Sequence, residues 1–327
     1  MNAALLTTAA IVIGFFADLL LGERVSSISP AVLFGKLIWA LEPPLRRLFP
    51  ATKAGERAGG AVMAVIVCSV ALVAPALLLR ALGLIHPLLP AALTAFWTYQ
   101  LLACRGLADA ANAVREPLVA GDLPGARHAV SMIVGRDTDR LDEAGISRAT
   151  VETVAENTND GEISILFWLL IGGAPLGMLA KAVNTMDSML GYRNEKYRYF
   201  GTAGARLDDV MGYIPARLTA LLFVAAAALL KFDAKGAWRI WRRDHAKSPS
   251  PNSAHCESAV AGALGVRLLG PAYYFGKLSD KEWVGDATRE IEAADIQRAC
   301  QLLYGASTLG LVAGCVVRIA VILALGV

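Results

Sequence analysis

Charge is scarce in this sequence. Asp, Glu, Lys and Arg make up 18% of its 327 residues, against about a quarter in soluble domains. The formal net charge of +3 offers no broad basic surface, so no nucleic-acid partner is expected. Cysteine is sparse too. Cys68, Cys104, Cys256, Cys300 and Cys315 form no C-x-x-C pair, which excludes the usual zinc and disulfide patterns. They read as reduced thiols that pack as small apolar side chains. There is no G-x-x-x-x-G-K-[ST] loop, no G-x-G-x-x-G after a strand and no H-E-x-x-H, so any nucleotide is bound without a P-loop. The first residues lack a basic segment and a small-residue cleavage site. They run into D-L-L-L-G-E-R and are expected to stay as a membrane span.

Apolar residues are in excess, 56% of the chain. They gather into runs at 4–22, 59–79, 88–104, 163–183, 214–230 and 306–327, the last carrying Arg318. A bilayer takes roughly 20 apolar residues of helix, so the expected fold is all-α, a polytopic integral membrane protein with about five or six apolar segments. A single membrane-embedded domain over 1–327, with long helical cytoplasmic loops, is expected. The runs 59–79 and 88–104 read as a helical hairpin, and the basic residues at its open ends place 23–58 and 105 onward in the cytoplasm. The polar stretches 105–162, 184–213 and 231–302 are all rich in Lys and Arg, which places all three on one side. Simple alternation of spans forbids that. The run 163–183, interrupted by G-G-A-P at 172–175, is therefore expected to be broken or re-entrant, its irregular backbone lining a protein cavity. The run 214–230 is at the short limit for a span.

Four polar strings carry chemistry. In R-A-T-V-E-T-V-A-E-N-T-N-D-G, 148–161, Glu152 and Glu156 lie one helical turn apart on one face. Asn157, Asn159, Asp160 and Gly161 follow as a polar turn. Clustered carboxylates and amides suit magnesium; an exposed, solvated helix end would show the same letters. In K-A-V-N-T-M-D-S-M-L-G-Y, 181–192, Asn184, Asp187, Ser188 and Gly191 form a polar stripe on an apolar helix. A carboxylate at that depth marks function by default. Arg193, Lys196 and Arg198 follow, either to hold a phosphate or carboxylate or to anchor at the interface. In A-R-L-D-D-V, 205–210, Asp208 and Asp209 can share a metal, or cap a helix, or pair with Arg206 or Arg217. In S-P-N-S, 250–253, Asn252 precedes a small-residue helix whose N-terminus is a ready anion site. The basic, aromatic W-R-I-W-R-R, 238–243, reads as a membrane-surface segment.

These strings, with V-G-R-D-T at 134–138, I-P-A-R-L-T-A at 214–220, A-G-A-L-G-V-R-L at 261–268 and D-L-L-L-G at 18–22, resemble in order and spacing the adenosylcobinamide-phosphate synthase family, the CobD/CbiB proteins of cobalamin biosynthesis. The resemblance covers most of the chain. It implies an inner-membrane, ATP-dependent acid–amine ligase with Mg2+. Its substrate would be a corrinoid, adenosylcobyric acid, whose free propionate is joined to (R)-1-aminopropan-2-ol or its O-phosphate. Membrane lipid and other corrinoid-pathway enzymes are the expected partners. On that basis Glu152, Glu156 and Asp187 are expected to be catalytic, and Arg136, Asn184, Arg193, Lys196, Arg206, Arg217 and Asn252 to bind substrate or phosphate. Glu156, Asp160, Asp187, Asp208 and Asp209 are expected to hold the metal directly or through water. The segments 131–161, 184–213 and 247–265 are expected to meet in one cavity open to the cytoplasm.

Four positions depart from the family pattern. Ser29 and Ser248 stand where histidine is usual, Gly212 where asparagine is usual and Ile165 where proline is usual. The competing readings are an AmpE-like inner-membrane sensor without ligase activity, and a corrinoid transporter or scaffold. The intact acidic strings favour the enzyme over a sensor, and the lack of a visible inverted repeat weighs against a transporter.

Overall fold

A computed structural model describes residues 3–22, 28–191 and 194–326. Arg193 lies outside the described residues. In chain order the helices are α1 (Ala3–Leu21), α2 (Pro30–Leu48), α3 (Lys53–Ile85), α4 (Leu88–Leu101), α5 (Cys104–Val119), α6 (Leu123–Ser131) and α7 (Glu143–Asn157). A π-helical turn, Thr158–Ile163, leads to α8 (Ser164–Leu190), α9 (Thr202–Met211), α10 (Tyr213–Leu229), α11 (Ala234–Asp244) and α12 (Ser253–Leu264). Four short strands follow, β1 (Leu268–Leu269), β2 (Ala272–Tyr274), β3 (Lys277–Ser279) and β4 (Trp283–Val284), before the long α13 (Ala294–Leu325). The chain divides into two compact units. Unit 1 comprises 1–103, 164–212 and 311–327, and unit 2 comprises 104–163 and 213–310.

Among the described residues, four helical stretches are long and apolar enough to cross a membrane: Ala3–Leu21, Lys53–Ile85, a segment within Glu143–Leu190, and Ala294–Leu325. The pair α9 and α10, broken at Gly212, makes a fifth candidate. The apolar windows of α3 and α13 are only 28% and 11% buried. Such broad apolar faces are unfavourable in water and suit lipid, so this is a multi-pass membrane protein. The stretch 88–104, expected as the second leg of a hairpin, forms a helix of only 14 residues that ends where Leu102 turns extended.

In unit 1, α1 packs on α4, and α3 on α8, around a core that includes Phe15, Ile38, Val67, Leu101 and Leu169. The break expected at 172–175 is present. Gly172 and Gly173 leave helical geometry, Gly173 at φ +68, a conformation open to glycine at little cost. A break at membrane depth frees carbonyls that need a donor. Arg318 of α13 supplies it. Its guanidinium donates to the Leu170 carbonyl, to the Ile171 carbonyl at 3.4 Å and to Thr8 Oγ1 at 3.0 Å. Replacing Arg318 by Met should therefore lower the unfolding free energy in detergent by about 1–3 kcal/mol, the usual cost of an orphaned buried acceptor. An unchanged thermal midpoint would refute this role.

In unit 2, α11 packs on α12, and α10 on both. The closest approach is between glycines: a Cβ on Gly236 would lie 2.7 Å from the Gly262 carbonyl oxygen. The Asp142 and Asp233 side chains cap α7 and α11 by accepting the N–H groups of Gly145 at 2.7 Å and Gly236 at 2.8 Å, satisfying donors that a helix start leaves free. β2 and β3 form an antiparallel hairpin, and β1 pairs with β4. The hairpin turn, Phe275–Gly276, has positive φ at both residues, as a two-residue turn between twisted strands requires.

Candidate functional site

Unit 2 contains a polar cavity of about 150 Å³ beside α7. Its wall includes Arg136, Glu152, Glu156, Ser248, Ser253, Glu257, Tyr274 and Lys281. Helical periodicity brings Glu152 and Glu156 to the same wall. Glu152 is buried and engaged at both oxygens. Oε2 pairs with the Arg136 guanidinium, and Oε1 accepts the Leu269 N–H at 2.7 Å. Glu156 is exposed. Glu257 of α12 is 3% exposed, and its Oε2 has no hydrogen-bond partner among the described residues. Burial, and then the neighbouring Glu156 and Glu152, push its carboxyl well above the ordinary carboxylate range. Lys281 Nζ donates to Tyr274 Oη at 3.2 Å.

A second cavity in unit 2, about 440 Å³, is lined by Arg136, Asp137, Asp139, Arg140, Arg148 and Tyr273 among others. Arg136 and Leu269 stand in the walls of both cavities. Arg148 stacks over the Trp283 ring at 4.9 Å, and Arg267 lies 5.0 Å from the same ring. Asp137, in the V-G-R-D-T string, holds the β2–β3 hairpin in place. Its carboxylate accepts the N–H groups of Phe275 at 3.0 Å and Gly276 at 2.7 Å, and its own N–H donates to the Tyr273 carbonyl at 2.8 Å.

The polar turn after α7 is a π-helical turn, a distortion that recurs at functional sites. Asn159 Nδ2 donates to Asp160 Oδ1 at 2.7 Å, and Asn159 Oδ1 accepts from Thr219 Oγ1 at 3.1 Å. At the start of α12, Arg217 lies over the Tyr213 ring, donates to the Tyr213 carbonyl at 2.7 Å and reaches Asn252 Oδ1 at 3.4 Å. The N–H groups of Asn252 and Ser253 donate to Ser250 Oγ at 3.2 and 3.4 Å, so the chain itself engages this helix start. Ser248 bonds Ser253 Oγ at 2.9 Å in the wall of the smaller cavity. The buried His255 accepts the Trp241 indole N–H at 2.8 Å, and burial, then Arg217 and His245, push its imidazole down to about 4.

In unit 1, Asn184 and Asp187 lie on α8, and Arg206, Asp208 and Asp209 on α9, which packs against it. The close packing depends on Gly204, where a Cβ would come within 3.2 Å of Met186 Cβ. Asp187 is half-buried, and Asp209 is near enough for its charge to act on it. Arg206 is exposed. Lys196 is tied to the buried Glu42 at 3.2 Å and to Tyr197 Oη at 2.6 Å, and Arg46 closes on the same Glu42 at 2.8 Å. Ser29 caps α2, accepting the Val32 N–H at 3.5 Å.

Among the described residues no three His, Cys, Asp or Glu side chains gather as a metal centre. Magnesium usually takes only one or two protein carboxylates and keeps its remaining positions for water and phosphate. Glu156 with Asp160 in unit 2, and Asp187 with Asp208 or Asp209 in unit 1, are of the right donor chemistry for that mode.

Sequence reading passed over Glu257, Lys281, Tyr274 and Asp137. A carboxylate inside the small-residue helix S-A-H-C-E-S-A was the available signal for the first, since such a group is rarely buried without a role. The run of aromatics ending at Phe275–Gly276 in A-Y-Y-F-G-K-L-S was the signal for the hairpin.

Membrane-crossing helices joined to a polar helical unit with buried carboxylates and arginines define a multi-pass membrane protein with a built polar site. The chain belongs to the CobD/CbiB family: residues 11–303 match the CobD/Cbib protein family. It is 46% identical over 306 residues to the cobalamin biosynthesis protein CobD of Klebsiella pneumoniae, covering 94% of this chain and 96% of that one. Identity to the CobD protein of Clostridium perfringens is 42%, covering 94% and 97%. Identity to the cobalamin biosynthesis protein CbiB of Salmonella typhimurium is 45%, covering 94% and 96%. No solved structure matches significantly.

Proposed function

We propose that this protein acts in cobalamin biosynthesis as an ATP-dependent ligase. It would join the free propionate of adenosylcobyric acid to (R)-1-aminopropan-2-ol or its O-phosphate, at the cytoplasmic side of the inner membrane. Family membership supports the pathway. The observation that carries the chemistry is the position of Arg136, in the shared wall of a carboxylate-lined cavity and an arginine-lined one. An acid–amine ligase needs both kinds of surface side by side.

A carboxylate does not react with an amine at neutral pH, because its oxygen is a poor leaving group. Transfer of the ATP γ-phosphoryl group to a propionate oxygen gives an acyl phosphate and ADP. The neutral amine nitrogen then attacks the carbonyl carbon, phosphate leaves with that propionate oxygen, and the nitrogen passes its proton to a cavity carboxylate, Glu156 or Glu152. The protein's work is orientation and charge neutralisation. Arg136, with Arg140 and Arg148 in the larger cavity, suits bidentate contact with phosphate or carboxylate oxygens. Glu152 fixes the Arg136 guanidinium by its ion pair. Bound magnesium would neutralise charge on the transferring phosphoryl group, held by Glu156, Asp160, Asp187 or the Asp208–Asp209 pair. Burial of the acyl phosphate in these cavities would keep water away from it.

Purified protein given ATP, amine and ¹⁸O-carboxyl-labelled cobyric acid should release phosphate carrying one labelled oxygen. Amide formed with unlabelled phosphate would exclude the acyl-phosphate route. Absence of amide altogether would return the protein to a sensing role.

A further inference from the structure

We propose that the 150 Å³ cavity of unit 2 is the amine pocket, with Glu257 as the residue that receives the ammonium end of a small amino alcohol. This rests on the ligase reading. One water needs roughly 10–15 Å³ of probe-occupied volume, so the cavity has room for several water-sized groups. That suits a three-carbon amino alcohol. Drug-sized ligands occupy pockets of roughly 300–1,000 Å³, so this space is small for a whole nucleotide or tetrapyrrole. The larger cavity with its arginines is left for their anionic groups.

Hydrogen-bonding chemistry selects the same ligand. Glu152, Glu156 and Glu257 face Arg136 and Lys281 in the cavity wall. Carboxyl groups outnumber the cationic side chains there, and their oxygens are acceptors that a primary ammonium satisfies. Within the set the carboxylates are not equivalent. Glu152 is bound at both oxygens by Arg136 and the Leu269 N–H. Glu257 is buried with an oxygen that no donor among the described residues reaches. A buried acceptor of this kind is costly in the free protein, and an ammonium brings three donors to it. Ser248 and Ser253, hydrogen-bonded to each other at 2.9 Å in the same wall, offer hydroxyls to the alcohol.

The test uses the full-length protein in detergent and 1-aminopropan-2-ol as the probe. Calorimetry without ATP or corrinoid should show the amine binding to the wild type. Propane-1,2-diol, which lacks the charge, should not compete. In Glu257→Gln, which keeps the side chain's shape, the amine KM should rise 10- to 100-fold, while the KM values for ATP and corrinoid stay within twofold. Glu257→Asp should recover part of the loss. An unchanged amine KM in folded E257Q would overturn the assignment, as would competition by the diol. If E257Q does not fold, a size series on the wild type decides. Affinity should fall at least tenfold once the amino alcohol exceeds five or six carbons, and a flat series would refute the pocket. Amine binding without amide synthesis would leave the pocket standing and remove the ligase reading. Amide synthesis with no Glu257 dependence would do the reverse.

Discussion

Glu152→Ala should cost the protein about 3–5 kcal/mol of unfolding free energy, because it leaves the half-buried Arg136 guanidinium without its counter-charge. It also orphans the Leu269 N–H, which donates to Glu152 Oε1 at 2.7 Å. Chemical denaturation in detergent would measure the loss. The double variant Arg136→Met/Glu152→Met removes both charges together. Replacing an entire buried ion pair with apolar side chains is often neutral or stabilising, so this variant should recover most of the loss. It should stay short of wild type by about 1–3 kcal/mol, the cost of the unpaired Leu269 N–H. Activity should not return with stability. With the guanidinium gone from the wall shared by the two cavities, kcat/KM should remain at least ~100-fold down, equivalent to about 2.7 kcal/mol of lost transition-state stabilisation. A stable double variant with near-normal activity would show that the pair only holds the fold.

Asp187→Asn should separate the two properties in the opposite direction. Asp187 is half-buried on α8, close enough to Asp209 on α9 for the two charges to repel. Like charges held close together disfavour each other's ionised form. Neutralising one of them with an isosteric amide should leave the thermal midpoint unchanged or raise it. In the proposed reaction these carboxylates serve a cation and the phosphates that accompany it. Turnover should then fall by at least ~100-fold, about 2.7 kcal/mol, with the magnesium concentration for half-maximal activity rising. Functional sites commonly keep such unfavourable charge at the expense of stability. A destabilised protein with normal turnover would assign Asp187 to structure instead.

The two results address different units of the chain, and the sequence spoke to them unequally. The apolar runs, the interruption at Gly172–Gly173 and the shared face of Glu152 and Glu156 were legible because each is a local property. Span length, glycine's tolerance of unusual φ and the 3.6-residue period all act within a few turns of chain. The exact helix lengths were less legible. α3 begins at Lys53, where the Thr52 side chain caps it, and α13 begins at Ala294. Hydropathy marks only the apolar part of a helix that continues into polar residues.

Tertiary structure decided everything that joins distant positions. Arg318 answers a carbonyl 148 residues away, Glu152 takes the N–H of Leu269 across 117 residues, and Lys196 pairs with Glu42. Glu257 looks, in sequence, like one acid in a small-residue helix. Its burial beside Glu152 and Glu156 follows from the packing of α12 against α7. Local propensity sets which residues share a face. Only the packed chain sets which face meets which, because burial makes each polar group depend on the partner brought to it.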